Sequence, residues 1–585
     1  MTSQTKIKEE KGRTAFDPQM GELLWAKSEE HDLEELLDEE DRIDGYESDA
    51  DSEHPDHETD SEQSESERDS DPHDIGDSSN CYIGKDAVTI WYAHAPRQNV
   101  HTPKKNCITH LPGVKTVARN AQTPIDCWKL FFPDSMVEKI CLYTNQYLKM
   151  LGPSYARTRD CRETDLAEIH AVLGLLYMAG IKKAQHLNIK ELWATDGTAP
   201  ECFRATMSLQ RFQLLLRALR FDDLQDRDSR KAVDNLAAIR VIFEEFNSHC
   251  KNNYEVGEYS TIDEMFEPFR GRCVFRQYIP NRPSKYGIKM YALVDSCTLY
   301  TSNLEIYAGR QPDGPYNVNN TASEVVMRIA EPILNTGRNI TLDNYFTSIP
   351  LASELLEKKT TIVGTLRKNK KEIPVRFIET NRRDLHSSLF GFTKTSVLVS
   401  YKVKHNKNVL VLSTLHKDHK IDTETGDLLL PEVITFYNLT KGAVDMVDRM
   451  KGLYSVARVS CRWPLTIFFG MMNIGGINSQ IIFKANTNEI IERKIFLKNL
   501  SLALIKAHLI SRSSIQNIAT RDRQAMKRIA GLQNEEEDGN ETIKTHAEGF
   551  CAYCPRRKNK KTKKICGKCK IPICPLHTVY KCTKC

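Results

Sequence analysis

No stretch of this 585-residue chain reaches 18 consecutive apolar residues, so composition offers no membrane span. Met1 is followed by polar residues instead of an apolar run, which predicts a chain without a secretory leader, working inside the cell. Internal repeats are missing too. Residues 1–80 lack aliphatic periodicity and are rich in Ser, Asp and Glu, a composition that cannot bury a core. Basic charge is almost absent from residues 29–77, where 24 Asp/Glu face only Arg42 and Arg68, a net of −22. Residues 1–28 carry +1, so the chain's total of +4 leaves +25 on residues 78–585. An acidic arm on a basic body predicts a polyanion-binding protein whose arm can compete with its ligand. Ser48, Thr59, Ser64 and Ser66 each have an acid three residues on, the spacing an acidophilic kinase accepts.

What is present is organised. Residues 119–258 repeat apolar positions at three and four, as in DCWKLFFPDSMVEKICLYTNQYL and ETDLAEIHAVLGLLYMAGI, and predict helices. His170, in the second of these, reads as a surface or satisfied histidine and not as a ligand. From residue 259 the period changes: STIDEMFEPF, YGIKMYALVDS and LYTSNLEIYAG are predicted strands. A helix follows at TASEVVMRIAEPIL, where Thr321 and Glu324 have capping-box spacing. Strand, helix and strand then come in RNITLDNYF, IPLASELLEKK and TTIVGTLR. Three strands, helix, strand, helix, strand is the order of an RNase H-like α/β sheet. Residues 371–431 are polar and strand-rich and read as an insertion domain, 432–455 as the second part of the α/β domain with the helix of KGAVDMVDRM, 456–531 as further helices, and 532–547 as a linker.

In such a fold, acids are expected on the first strand, at the end of the fourth and on a later helix. Those places hold Asp263, Asp343, and Asp445 with Asp448 in KGAVDMVDRM. A lone DxxD reads as a solvated helix face, and like charges three apart on a helix repel. Three acids in three topological places are harder to explain by capping. Phosphodiester cleavage places negative charge on attacking and leaving oxygens, and two Mg²⁺ ions stabilise both. Mg²⁺ (or Mn²⁺) prefers carboxylate oxygen, so the four aspartates are the candidate catalytic and Mg²⁺-binding residues.

Ten cysteines are scattered between Cys81 and Cys461, while seven crowd residues 551–585. Cys551/Cys554, Cys566/Cys569, Cys574/His577 and Cys582/Cys585 each enclose two residues. Eight such ligands in a chain without a leader predict two tetrahedral Zn²⁺ sites. A cross-brace would have the first and third pairs share one ion and the second and fourth the other; sequential pairing is the alternative. A cross-brace also occurs in RING ubiquitin ligases, a rival function for the tail. Against it, the loop RRKNKKTKK, beginning Arg556, Arg557, Lys558, has seven basic residues in nine, which suits phosphate contact or nuclear import.

The blocks TIDEMFEPFRGRCVFRQYIPNRPSKYGIKMYALVDS, LDNYFTSIPLA, TIVGTLRKNKKEIP, YNLTKGAVDMVDRM and CRWPLTIFFGMMNIGGINS together resemble the piggyBac family of DNA transposases. The similarity runs from about residue 120 to the C-terminus. The acidic arm lies outside it, and residues 1–118 read from composition as a disordered arm and linker. The resemblance implies an RNase H-like catalytic domain (259–370 and 432–455) interrupted by the insertion. A split helical dimerisation and DNA-binding domain (119–258 and 456–531) and a zinc module (548–585) complete it. It also implies a DDE/D acid set and a nuclear homodimer on double-stranded DNA. The implied activity is cut-and-paste transposition through 3′-OH nicking and hairpin ends, with integration at TTAA. The family's DNA-contact region includes the RWP segment, here Arg462 and Trp463 with Arg458 a turn earlier; an aromatic beside arginines can stack on an unpaired base. A domesticated DNA-binding relative without transposition is the alternative.

Overall fold

The computed structural model describes residues 80–95, 108, 110–280, 282–532, 549–555, 561–562, 564, 566 and 571–578. The acidic arm with its four phosphorylation candidates, together with Arg556, Arg557, Lys558, Cys569, Cys582 and Cys585, lies outside the described residues. The chain divides after Ala530 into two compact units.

The first unit begins earlier than the sequence implied. Residues assigned to the arm and linker include a hairpin, β1 (Cys81–Ile83) and β2 (Ile90–Tyr92). Trp91 anchors it: the ring is fully buried, and its indole N–H donates to the Glu372 carbonyl at 2.9 Å. Backbone bonds from Lys85 and Asp86 to the Ile373 and Lys371 carbonyls and an edge contact of Tyr82 with Phe377 hold the hairpin beside it.

Helices follow. The stretch DCWKLFFPDSMVEKICLYTNQYL falls across two helices, α1 (Pro124–Lys129) and α2 (Asp134–Leu151). Pro133 ends one and starts the next, because it lacks the N–H a continuous helix would need. Thr123 and Asp126 form a reciprocal capping box at the start of α1. Then come α3 (Leu166–Ile181), buried on nearly every side, α4 (Leu209–Ala218) and α5 (Arg240–Asn253). His170 on α3 is largely buried, edge-on to Trp128, with its Nε2 3.5 Å from Asp134 and without a hydrogen bond among the described residues, so the histidine is enclosed but not satisfied.

The sheet comes next: β3 (Tyr259–Pro268), β4 (Gln277–Tyr278), β5 (Tyr286–Asp295), β6 (Thr301–Ile306), α6 (Ala322–Ile329), β7 (Asn339–Leu342), α7 (Ile349–Glu357) and β8 (Thr361–Thr365). Thr321 does stand at the N-terminus of α6, but its side chain makes no capping bond, so the spacing alone misled. In the sheet β5 and β6 run antiparallel to their neighbours, while β7 lies parallel between β3 and β8.

The insertion does not stand apart from this sheet. β9 (Ser388–Phe392), β10 (Val397–Lys404) and β11 (Lys407–Ser413) pair in turn, and β11 joins the free edge of β8. The result is one 11-stranded sheet, β1-β2-β9-β10-β11-β8-β7-β3-β5-β4, with β6 also on β5. An exposed β8 edge would otherwise leave unpaired N–H and C=O groups, and these strands satisfy them. Their apolar face, with Val397, Val399 and Val411, is covered by Val433, Ile434 and Tyr437 of α8 (Glu432–Thr440).

His416, just past β11, packs edge-on to Phe436 and shares a 2.9 Å hydrogen bond with the Ser413 hydroxyl. Burial lowers its pKa to about 4, and burial likewise lowers His170 to about 4. Both rings are therefore neutral in the fold while the unfolded chain protonates them below pH 6.5. Stability is expected to fall as pH drops from 6.5 toward 4, by about 2 kcal/mol for each ring. Urea unfolding across that range should show the slope, and His416→Asn should flatten it.

After α9 (Ala443–Leu453) come α10 (Trp463–Thr487) and α11 (Arg493–Ser513). Among the described residues α10 is the one helix long and apolar enough to cross a membrane, and 89% of its apolar window is buried in the fold. It is a core helix. Tyr177 of α3 donates to the Met472 carbonyl on α10 and accepts from the Trp128 indole, tying helices before and after the sheet into one body. α3 and α11 approach closely at Gly174, where a Cβ would meet the Ser501 carbonyl at 2.9 Å and Leu504 Cβ at 3.0 Å. Gly174→Val is expected to lower stability by about 1–3 kcal/mol, read as a drop in the thermal midpoint.

Candidate active site and metal centre

The β3–β7 register pairs Ile262 with Leu342, and the next residue on each strand is an acid, Asp263 and Asp343. Two carboxylates therefore leave neighbouring parallel strands at the same level. The third comes from α9. Two threonine contacts dock Thr440, the last residue of α8 just before α9 begins, on these strands. The Thr261 hydroxyl donates to the Thr440 carbonyl at 2.6 Å, and the Thr341 and Thr440 hydroxyls lie 2.7 Å apart. Asp445 sits in the first turn of α9, where the helix dipole favours negative charge.

Asp263, Asp343 and Asp445 line one cleft of about 1540 Å³. Asp263 is pushed up to about 7, by burial first and then by the negative charges of Asp445 and Asp343, while the Glu264 N–H opposes the shift. The charges acting on it are negative, so a cation would relieve it. Carboxylate oxygens from three separate elements, open to a polar cleft, suit a hard divalent ion.

The cleft contains side chains that motif reading missed. Lys289 lies within 5.7 Å of the Tyr291, Tyr307 and Tyr345 rings and pairs with Glu264 at 3.0 Å. Tyr345, two residues after Asp343, is 43% exposed at the mouth. Arg367, Lys368 and Lys441 line the same space. Their convergence depends on one sheet carrying β5 and β6 on one side of β3 and β7, and β8 on the other.

Asp448 is placed differently from the other three. It does not line the cleft, and both of its oxygens are engaged: Oδ1 with Lys451 Nζ at 2.7 Å, Oδ2 with the Phe266 N–H at 3.2 Å and Arg282 at 3.5 Å. The repulsion within DxxD is relieved here by two cationic side chains.

The RWP arginines are engaged as well. Arg462 donates to the Arg217 carbonyl at 2.9 Å and to those of Leu216 and Leu219, satisfying the open C-terminal end of α4. Arg458 donates to the Ala184 and Leu187 carbonyls. Trp463 is half-buried, edge-on to Phe275 with ring centres 5.1 Å apart. It borders a separate cleft of about 800 Å³ that also holds Arg220, Arg227, Arg272 and Arg276. Both arginines thus hold the chain that presents Trp463.

In the second unit, Cys551, Cys554, Cys574 and His577 come together, with all ligand atoms within 4.8 Å of one another. Cys554 and Cys574 sulfurs are 3.7 Å apart, and His577 Nδ1 lies 3.3 Å from Cys574 Sγ and 3.6 Å from Cys554 Sγ. Metal–sulfur bonds of about 2.3 Å give a tetrahedron with edges of about 3.8 Å. The four donors fit a thiophilic tetrahedral ion. They join the first and third pairs, the cross-brace partition, with Cys554 and Cys574 20 positions apart in the chain. The chelate is not closed by sequence neighbours alone.

A model for the family described as Transposase IS4 matches residues 123–480. Among curated proteins, the human piggyBac transposable element-derived protein 3 is 24% identical over 251 residues, 42% of this chain and 40% of that protein. The human piggyBac transposable element-derived protein 2 is 22% identical over 265 residues, 45% of this chain and 43% of that protein. The chain thus spans well under half the length of these curated relatives. The cryo-EM structure of a piggyBac transposase synaptic complex with hairpin DNA is 36% identical, with a TM-score of 0.70, covering 81% of this chain and 100% of that one. Family model, sequence and three-dimensional likeness agree: the chain belongs to the piggyBac family of transposases.

Proposed function

We propose that this chain is a cut-and-paste DNA transposase whose catalytic part is RNase H-like. The observation that carries the reading is the convergence of Asp263, Asp343 and Asp445 in one cleft, on strands and a helix that sequence order alone separates by 182 positions. These three carboxylates are the residues that would hold a pair of Mg²⁺ ions. When bound, such ions neutralise charge on both the attacking and the leaving oxygen of the phosphodiester. The chain's own groups do the rest. Arg367, Lys368 and Lys441 meet flanking phosphates, and Tyr345 offers a ring to an unpaired base at the strand end.

The substrate proposed is double-stranded DNA bearing the element's end repeats. A first nick frees a 3′-OH, attack on the opposite strand makes a hairpin, and the reopened ends join target DNA at TTAA. The zinc module, with its seven-in-nine basic loop, is proposed to bind the end repeats. The same run is proposed to serve nuclear import, and a homodimer to bring two ends together. Kinase action on the acidic arm is proposed to deepen its charge.

Purified protein incubated with end-repeat DNA and Mg²⁺ should yield nicks, hairpins and joined products on a denaturing gel. The human matches are transposable element-derived proteins, which favours a second reading: a domesticated binder keeping the fold. End binding without any nick would establish that reading and refute the first.

A further inference from the structure

We propose that Asp448 is a positioning residue, the hub of a buried charge relay Glu267–Lys451–Asp448–Arg282 that sets the distance between Asp445 and Asp263. The inference rests on the reading that Asp263, Asp343 and Asp445 hold the catalytic cations, and it takes Asp448 out of that set.

The geometry is closed. Lys451 Nζ lies 2.6 Å from Glu267 and 2.7 Å from Asp448, and the two ends of this inner pair, Lys451 and Glu267, are 5% and 6% exposed. Glu267 is on β3, four residues beyond Asp263, while Asp448 is on α9, one turn beyond Asp445. Arg282 completes the link from the cleft side. It donates to the Glu264 carbonyl, next to Asp263, at 3.1 Å and reaches Asp448 at 3.5 Å. The Phe266 N–H donates to Asp448 from the same strand. Strand and helix are thus tied together beside each of the acids they carry. Gly470 on α10 makes room: a Cβ there would lie 2.5 Å from Glu267 Oε1.

Charge separates the two groups of acids. Two carboxylates and two cations make the relay neutral, so Asp448 has no spare charge to attract an ion. Asp263 meets only negative neighbours among the charges that act on it. A buried ion pair seldom adds stability over an apolar pair of the same volume, and its best-attested use is to fix register. Register is what a multi-ligand site needs, because carboxylates displaced by a fraction of an ångström no longer share an ion.

The test is Mn²⁺ titration by calorimetry on the full-length protein with its zinc sites loaded. Asp448→Asn should keep the wild-type stoichiometry while raising the half-saturating Mn²⁺ concentration roughly tenfold, the effect of losing a group that orients ligands. Arg282→Gln, at the solvent-reachable end of the relay, should shift it in the same direction with the thermal midpoint unchanged. Lys451→Arg should restore most of the affinity lost in Lys451→Met. Asp448→Asn losing Mn²⁺ sites as Asp445→Asn does would make Asp448 a ligand and overturn the proposal. Wild-type affinity in both Asp448→Asn and Arg282→Gln would overturn it as well. Unaltered Mn²⁺ binding in Asp445→Asn would instead refute the carboxylate site on which the relay rests.

Discussion

Asp343→Ala and Asp445→Ala are each expected to lower strand cleavage by at least roughly 10³-fold while leaving end-DNA binding within a few-fold of wild type. The reason lies in how the three acids are supported. Asp343 follows β7 directly and Asp445 opens α9, so neither carboxylate carries the fold; the neighbouring strands and the Thr261 and Thr341 contacts do. Removing either leaves two ligands where three had converged, and phosphoryl transfer depends steeply on ligand placement. Asp263→Ala should have the same catalytic effect with a second signature. Burial and two like charges hold Asp263 at about 7, so deleting it relieves repulsion and should leave the metal-free protein at least as resistant to heat as wild type. Gel-resolved nicking, filter binding and thermal scans on the same preparations measure all three. Near-normal cleavage by any one variant removes that residue from the site.

Chelation of the tail is expected to have an equally large effect. The unit after Ala530 has only short strands, Gly549–Phe550 and Lys561–Thr562, and a single 3₁₀ turn, Pro575–His577, among its described residues. So little regular structure cannot supply a core, and the binding energy of a structural ion, about 10–16 kcal/mol in comparable small modules, becomes the folding energy. A zinc-selective chelator should release two ions per chain if the second and fourth pairs also form a site, and open residues 549–578 to protease. End-repeat binding should weaken roughly tenfold or more as the basic loop loses its frame. Cys574→Ser should reproduce the loss at the first site. Release of no zinc, or a chelated tail that stays protease-resistant, would refute the assignment.

The strands and helices around the acids were readable because their signals are local. Period-two apolar patterns mark β3, β5 and β8, and Pro or Gly marks many of their ends. What misled the reading was equally physical. Thr321 and Glu324 have the spacing of a capping box, yet spacing does not guarantee the rotamer that closes it. Residues 81–92 look like part of a linker because three-residue strands carry almost no periodicity, and only the burial of Trp91 reveals them. Residues 371–431 were recognisable as strands, but whether strands form a separate domain or extend an existing sheet depends on which edge is free.

By itself the sequence determined the family and the order of elements, and it marked four candidate acids and the ligand spacing of the tail, since each is written in short-range pattern or in residue type. Tertiary structure alone decided which charges meet. Asp445 and Asp448 look equivalent in KGAVDMVDRM, three residues apart on one helix face. Folding places β3 against that helix so that Lys451, Glu267 and Arg282 surround Asp448, while Asp445 faces the cleft. Of the two cations on Asp448, Lys451 is three residues on along the same helix, and Arg282 lies 166 positions away in the chain. The Lys451 pair has local spacing, but Arg282 and Glu267 reach this helix only because the fold brings them there, and electrostatic role depends on distance in space.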